Sequence, residues 1–245
     1  MFMFIRLLLA HFLGDFPFQF DSIYKLKFKG LQGIVPHALI IGICGVAMSW
    51  PYLHLPLMWF FLIFMAASHL IQDSIKLNFN DPKYSFWSYL LDQLSHVVLI
   101  AMLFLTNIRK FHAPHDQSNL FVRIYSNNGL LIYFIMLIVA TYNGHYLIRC
   151  FKDTFMEKAS QCYVYEKWFG MCERAVIVSL FLSRMPLWLI LPICLALRPL
   201  TYLCMKRALT LHKCFMAIPD MVLSWIIGLL SGSVLYLLQT RYPVY

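Results

Sequence analysis

Histidine and aspartate occur together inside apolar stretches of this sequence, four residues apart. The pairs are His11 with Asp15, His69 with Asp73, and Asp92 with His96, and a lone His37 lies in another apolar stretch. Residues four apart project from one face of an α-helix, so each pair presents an imidazole beside a carboxylate. Because ionisable residues in apolar membrane helices are costly and mark functional sites by default, these seven residues form the candidate site.

This set of donor atoms is typical of a divalent metal site. Imidazole nitrogen and carboxylate oxygen bind zinc, manganese and iron, and helical bundles build such sites from facing helices. Seven ligands exceed the four that one tetrahedral ion needs. They suit two ions that share a bridging carboxylate, or one ion whose histidines are oriented by outer carboxylates, and both arrangements stay open. The predicted metal ligands are His11, Asp15, His37, His69, Asp73, Asp92 and His96.

The predicted cofactor is one or two divalent metal ions, zinc or manganese. Such an ion lowers the pKa of a bound water toward neutrality and polarises a scissile bond. A carboxylate of the cluster is then the candidate general base. The candidate catalytic residues are Asp15, Asp73 and Asp92. The neighbouring polar residues Gln19, Lys76 and Gln93 are expected to orient or hold the substrate.

Composition indicates which elements position these residues. The chain has 245 residues, of which 61% are hydrophobic and 13% charged, whereas water-soluble domains carry about 25% charged residues. We therefore predict an all-α, polytopic membrane bundle of about eight helices. Apolar runs near the length that crosses a bilayer span residues 2–20, 33–50, 56–77, 86–106, 129–150, 168–184, 186–205 and 219–239.

The predicted organisation is one integral membrane domain over residues 1–245. A polar outer loop, 107–128, separates a four-helix half over 1–106, which carries the His/Asp cluster, from a second four-helix half over 129–245. In alternating helices, the ends of the first and third helices and the starts of the second and fourth share one leaflet. The seven residues are therefore expected at one depth in the membrane.

Lysine and arginine predict the orientation. The net charge is +9, and this excess is assigned to cytoplasmic loops rather than to nucleic acid, which we do not expect as a partner. With eight crossings and the N-terminus outside, the inner loops carry twelve of these residues and the outer loops carry five. We predict an integral protein of a bacterial inner membrane with both termini outside the cytoplasm and the cluster on the cytoplasmic side.

A secondary polar cluster lies at the start of the sixth predicted helix. It consists of Glu166, Glu173 and Arg174, in the sequence YEKWFGMCER. A buried Glu–Arg pair that locks helices together is the favoured interpretation. The alternative is that Glu166 or Glu173 adds a ligand or base to the site and that Arg174 holds an anionic group of the substrate.

Small residues recur every four positions in the last helix, at Ser224, Gly228 and Gly232. Such a stripe indicates close helix packing, either inside the bundle or between copies of the chain in a homo-oligomer. The other expected partner is a membrane lipid or a lipid-linked substrate.

The polar motifs resemble those of an uncharacterised bacterial inner-membrane family, a domain of unknown function. The motifs are HxxxDFxxQ from His11, HxxxDxxK from His69, DQxxH from Asp92 and GxxER from Gly170. The similarity is strongest over residues 1–105. The family is similar in style to membrane-bound metal-dependent hydrolases, so the resemblance implies a polytopic membrane protein with a metal-dependent hydrolytic site.

Three functions are compatible with the sequence. The leading hypothesis is an intramembrane metal-dependent hydrolase that acts on a lipid-like ester or phosphoester at the cytoplasmic headgroup level. The first alternative is a metal-ion or proton transporter that uses the same cluster, although a pathway needs polar residues in both leaflets. The second alternative is a non-enzymatic membrane scaffold or partner protein with a polar core.

Overall fold

A computed structural model describes residues 1–27, 30–78, 82–114, 119–156, 164–205 and 218–243, and these form helices and turns without a strand. A π-helical turn, Val139–Asn143, joins α7 to α8. The α-helices of the described residues are α1 (Phe2–Asp15), α2 (Asp21–Lys27), α3 (Leu31–Met48), α4 (Pro56–Asn78), α5 (Ser85–Ala101), α6 (Leu120–Ser126), α7 (Asn128–Ile138), α8 (Gly144–Phe155), α9 (Val164–Leu182), α10 (Leu187–Met205) and α11 (Ile218–Gln239).

Four helical segments in the described ranges are long and apolar enough to cross a membrane. They are Pro56–Leu77, Ser85–Leu105, Asn128–Phe155 and Pro219–Gln239. The prediction of a helical membrane protein is therefore confirmed, but eight spans are not supported. The predicted orientation of the termini assumed eight crossings, so it stays a prediction.

The other four predicted spans are too short or interrupted. Helix α1 has 14 residues and is about 21 Å long, against a hydrocarbon core of about 30 Å. The apolar part of α3 is Gln32–Met48, and that of α10 is Trp188–Pro199, where two prolines lie inside the helix. In α9, the adjacent charges of Glu173 and Arg174 interrupt the apolar sequence.

The chain divides into two compact units, Met1–Ile135 and Met136–Pro243. We call them unit 1 and unit 2. The division falls inside α7 rather than in the predicted outer loop, because much of that loop packs on unit 1. Ile108 is fully buried there, and the backbone carbonyl of Tyr125 accepts a hydrogen bond from Arg6.

Unit 1 has a dry apolar core at the end of α1 opposite the His/Asp pair. Met3 and Leu7 of α1 pack there with Met58 of α4 and Ile100 of α5, all nearly or fully buried. Arg6 lies among them, and its two terminal nitrogens have local hydrogen-bond partners, whereas its Nε has none among the described residues. Arg6 donates to the Phe2 carbonyl at 2.7 Å and to Asn128 Oδ1 at 2.6 Å.

In unit 2, the small-residue stripe of α11 packs against α9 of the same chain. A Cβ atom at Gly228 would lie 3.0 Å from the Ile177 side chain, and one at Gly232 would meet the Phe181 ring. The stripe therefore serves packing inside the chain, so self-association through this face would require α9 to move away. Homo-oligomerisation itself stays a prediction.

We predict that Gly232→Leu destabilises unit 2, because the new side chain would displace the buried Phe181 ring. Overpacking of this kind costs about 1–3 kcal/mol. Val234→Leu, at an exposed position of the same helix, is the matched control. Thermal unfolding in detergent should give a lower Tm for Gly232→Leu alone, and equal Tm values for both variants would contradict the packing.

Candidate metal centre

Four helices of unit 1 bring the seven predicted ligands together. The donor atoms form three overlapping groups, and within each group they all lie within 4.8 Å of one another. His69 and His96 each belong to two groups, so they join the three groups into one cluster. The groups are His11, His69 and His96; Asp15, His37 and His69; and Asp73, Asp92 and His96.

Close contact between α1 and α3 helps to form the cluster. A Cβ atom at Gly14 would lie 2.6 Å from the Ile41 side chain and 3.2 Å from its Cα, so a larger residue would require Ile41 to shift. The contact brings Asp15, at the end of α1, to His37 in the second turn of α3. Their Oδ1 and Nε2 atoms are 3.1 Å apart.

The imidazole rings pack against one another at the centre of the cluster, and those of His69 and His96 are stacked. The ring centroids of His69 and His96 are 4.3 Å apart, and those of His11 and His96 are 4.8 Å apart. His37 approaches His69 from the other side, with 5.0 Å between centroids. Each of these four residues is at most 3% exposed, so water does not solvate the rings.

Several of these buried nitrogens have no hydrogen-bond partner among the described residues. They are Nε2 of His11, both ring nitrogens of His69, and Nε2 of His96. The nearest carboxylate oxygens, Asp73 Oδ2 for His69 and Asp92 Oδ1 for His96, are 3.5 and 3.4 Å away and poorly aligned. A buried polar atom without a partner costs about 1–3 kcal/mol, so four such atoms require an explanation.

His37 differs from the other three imidazoles because both of its nitrogens have partners. A carboxylate only accepts hydrogen bonds, so Nε2 of His37 donates to Asp15. Its Nδ1 then accepts from the Gln19 amide at 3.4 Å. Gln93 donates to the second oxygen of Asp15 at 3.0 Å. Both predicted glutamines therefore orient members of the cluster.

Two lysines neutralise the other carboxylates. Lys76 Nζ lies 2.6 Å from Asp92 Oδ2, and Lys27 Nζ lies 2.9 Å from Asp73 Oδ2. Lys76 was among the predicted site residues, but sequence reasoning missed Lys27. It is the last residue of α2, and no spacing in the sequence connects it to Asp73.

The arrangement fits the donor set of a metal site without matching its final geometry. Tetrahedral ligands about 2.1 Å from zinc are about 3.4 Å from each other, closer than the 4.8 Å limit within each group. Three carboxylates and two ammonium groups leave one negative charge, if the imidazoles are neutral, and this charge favours a cation.

Glu173 belongs to a separate polar cluster inside unit 2. Arg198 donates to both of its oxygens, with Nη2 to Oε2 at 2.9 Å. Ser224 donates to Oε2 at 2.7 Å, and the indole of Trp225 donates to Oε1 at 3.1 Å. The partner of Glu173 is therefore Arg198 and not the adjacent Arg174.

Arg174 is held by the π-helical turn. A π-turn shifts the helix hydrogen bonds to i→i+5 and leaves a carbonyl free. Arg174 Nε donates to the Ala140 carbonyl at 2.5 Å, and its Nη2 donates to the Thr141 carbonyl at 3.1 Å. Its Nη1 donates to Ser224 at 3.0 Å, so all three nitrogens are used inside unit 2. The side chain of Glu166 lies outside the described residues.

A family model described as "Protein of unknown function (DUF3307)" matches residues 3–125. The chain belongs to the DUF3307 family. This match confirms the resemblance to an uncharacterised family, and the matched region includes all seven residues of the His/Asp cluster. No curated protein and no solved structure matches the chain.

We predict that Arg198→Met destabilises unit 2, because it leaves the Glu173 carboxylate buried without its cation. Breaking a buried ion pair on one side costs about 3–5 kcal/mol. Arg149→Met removes the same charge at a position where the side chain is 63% exposed, and it should have little effect. Thermal unfolding in detergent compares the variants, and an unchanged Tm for Arg198→Met would refute a structural role for the pair.

Proposed function

We propose that the protein is a membrane-embedded, metal-dependent hydrolase that acts on an ester or phosphoester of a lipid-like substrate. The unpartnered imidazole nitrogens of His11, His69 and His96 carry this proposal. They lie beside carboxylates in a buried cluster, and a divalent ion would satisfy them together. The metal would supply an activated water and polarise the scissile bond.

The contacts support different roles for the cluster residues. His11, His69 and His96 have free donor atoms, so we assign them as ligands, together with the carboxylates of Asp73 and Asp92. Asp15 is oriented by His37 on one oxygen and by a glutamine on the other. An oriented carboxylate beside the ligands suits a general base that takes a proton from water.

The charge of the cluster favours a single ion. The carboxylates and lysines leave one negative charge, so one divalent ion gives a net charge of +1 and two ions give +3. Burying charges of one sign in an apolar bundle costs free energy. The negative charge of the cluster compensates the first ion, and none would remain to compensate a second. We therefore propose one ion, zinc or manganese.

The position of the cluster along α4 supports a substrate at headgroup level. Asp73 and His69 lie four and eight residues before the end of the span at Leu77, which corresponds to depths of about 6 and 12 Å. A headgroup or an ester linkage of a lipid reaches this depth, whereas a soluble substrate must leave water to do so. The cytoplasmic side remains our proposal for this end.

Two observations weigh against the other functions. In unit 1, the apolar core around Met3, Leu7 and Ile100 lies at the opposite end of α1 from the cluster, and the positive charge of Arg6 buried within it would oppose the passage of a cation. A scaffold with a polar core would satisfy its buried donors, as Glu173 and Arg174 do in unit 2. Imidazole nitrogens of His11, His69 and His96 in unit 1 are not satisfied in this way.

We predict that the purified protein binds one zinc or manganese ion per chain and that chelation lowers its Tm, since binding to the native state alone stabilises it. His69→Ala should lose most of the metal. His54→Ala, at an exposed histidine outside the cluster, should retain it. Elemental analysis and thermal unfolding of both variants measure the two effects.

Full metal occupancy in His69→Ala would refute the ligand assignment. A wild-type protein without stoichiometric metal, and with the same Tm after chelation, would refute the metal site and the hydrolase together.

We predict that the metal-loaded protein hydrolyses lipid esters or phosphoesters in mixed micelles, and that Asp15→Asn lowers kcat by about 10²–10⁴-fold, the usual contribution of a general base. Metal content should be unchanged in this variant, because Asp15 is assigned to proton transfer. Release of fatty acid, headgroup or phosphate measures the reaction. Loss of metal in Asp15→Asn, or unchanged activity, would contradict this role.

A further inference from the structure

We propose that Lys27 and Lys76 form a phosphate-binding site that becomes available when the metal ion binds. The inference rests on the proposed metal site and identifies the substrate group as a phosphate mono- or diester. The two ammonium groups now contact Asp73 and Asp92, and the ion would replace them on these carboxylates.

Each lysine contacts one oxygen of a carboxylate that we assign as a metal ligand. Lys27 Nζ is 2.9 Å from Asp73 Oδ2, and Lys76 Nζ is 2.6 Å from Asp92 Oδ2. Asp73 and Asp92 form one of the three candidate ligand groups together with His96. A carboxylate oxygen that coordinates a divalent ion gives up most of its attraction for an ammonium group, and the ion itself repels that group.

Lysine can leave its carboxylate without a change of fold. Its ammonium is a point charge on a flexible four-carbon stem, so it moves by rotation of the side chain alone. The Lys76 side chain is 37% exposed, and its Nζ lies 5.4 Å from the Tyr89 ring centroid, which offers a second cation contact. Lys27 lies at the end of α2, with an 11% exposed side chain.

The displaced ammonium groups and the metal would together attract an anion. One divalent ion changes the net charge of the cluster from −1 to +1, and two ammonium groups without carboxylates remain beside it. A phosphate group restores the balance and accepts hydrogen bonds from both lysines. An uncharged ester would leave this positive charge uncompensated, so the cluster favours phosphoesters.

Equilibrium dialysis of the full-length protein tests this coupling. Affinity for zinc or manganese, whichever ion the purified protein carries, is measured with and without inorganic phosphate. We expect phosphate to raise the metal affinity about fivefold or more, and radiolabelled phosphate to bind the metal-loaded protein but not the metal-free protein.

Lysine variants separate the two roles. Lys27→Met and Lys76→Met remove a competitor for the carboxylates, so each should bind metal at least as tightly as wild type when phosphate is absent. Each should lose most of the enhancement by phosphate. Lys25→Met removes a lysine from the same helix, at an exposed position, and should retain the full enhancement.

The outcomes distinguish this inference from the proposed function. The phosphate site is overturned, and the metal site left intact, if phosphate does not change the metal affinity of the wild-type protein. The same holds if phosphate raises the metal affinity of both lysine variants as much as that of wild type. Phosphate binding to the metal-free protein also overturns it. Absence of metal binding refutes the proposed function itself, and the phosphate site with it.

A final comparison identifies the source of the phosphate group. Phosphatidylglycerol in mixed micelles replaces inorganic phosphate in the same dialysis. A larger, lysine-dependent increase in metal affinity with the lipid identifies a headgroup phosphate, and a larger increase with inorganic phosphate identifies a free one. No lysine-dependent increase with either overturns the site.

Discussion

Charged side chains in an apolar helical bundle must find their partners inside the protein, and this constraint governs both units. An ion in a medium of low dielectric constant is costly unless an opposite charge and hydrogen bonds compensate it. In unit 1, Lys27 and Lys76 supply the charge for Asp73 and Asp92. The short helix α2 has a role in this balance, because it places Lys27 within reach of a carboxylate on α4.

The two polar clusters satisfy this constraint to different degrees. In unit 2, each oxygen of Glu173 accepts hydrogen bonds from neighbouring helices, and Arg174 caps carbonyls of the π-helical turn. In unit 1, Asp73 and Asp92 have lysine partners and Asp15 accepts two hydrogen bonds, but imidazole nitrogens of His11, His69 and His96 have no partner among the described residues. The polar groups of both clusters are buried, but, within the part of the chain that the structure describes, only those of the unit 2 cluster all have hydrogen-bond partners. The unit 2 cluster is therefore suited to hold helices together, and the unit 1 cluster is suited to bind a ligand.

The periodicity of side chains along a helix made the His/Asp cluster predictable from the sequence. The helix ends and the ion pairs between helices depend on tertiary contacts and were not predictable. The i, i+4 spacing fixes which side chains share a helix face, so the three His/Asp pairs could be named without knowing the helix lengths. Spacing does not reveal where a helix ends, so α1 was predicted too long. The pairings Lys27–Asp73 and Arg198–Glu173 join residues from different helices, and no local pattern in the sequence encodes them.

Asp73 and Asp92 of unit 1 are paired with lysine, and Glu173 of unit 2 is paired with arginine. This choice of cation is consistent with a ligand-binding cluster in unit 1 and a helix-holding cluster in unit 2. The guanidinium of Arg198 is a planar fork that binds both oxygens of Glu173, and such a pair separates only if two hydrogen bonds break together. Lysine offers a single mobile ammonium group, and each lysine of unit 1 contacts one oxygen of its carboxylate. A carboxylate that must exchange its partner for a metal ion is better served by lysine. A carboxylate that must hold helices in place is better served by arginine.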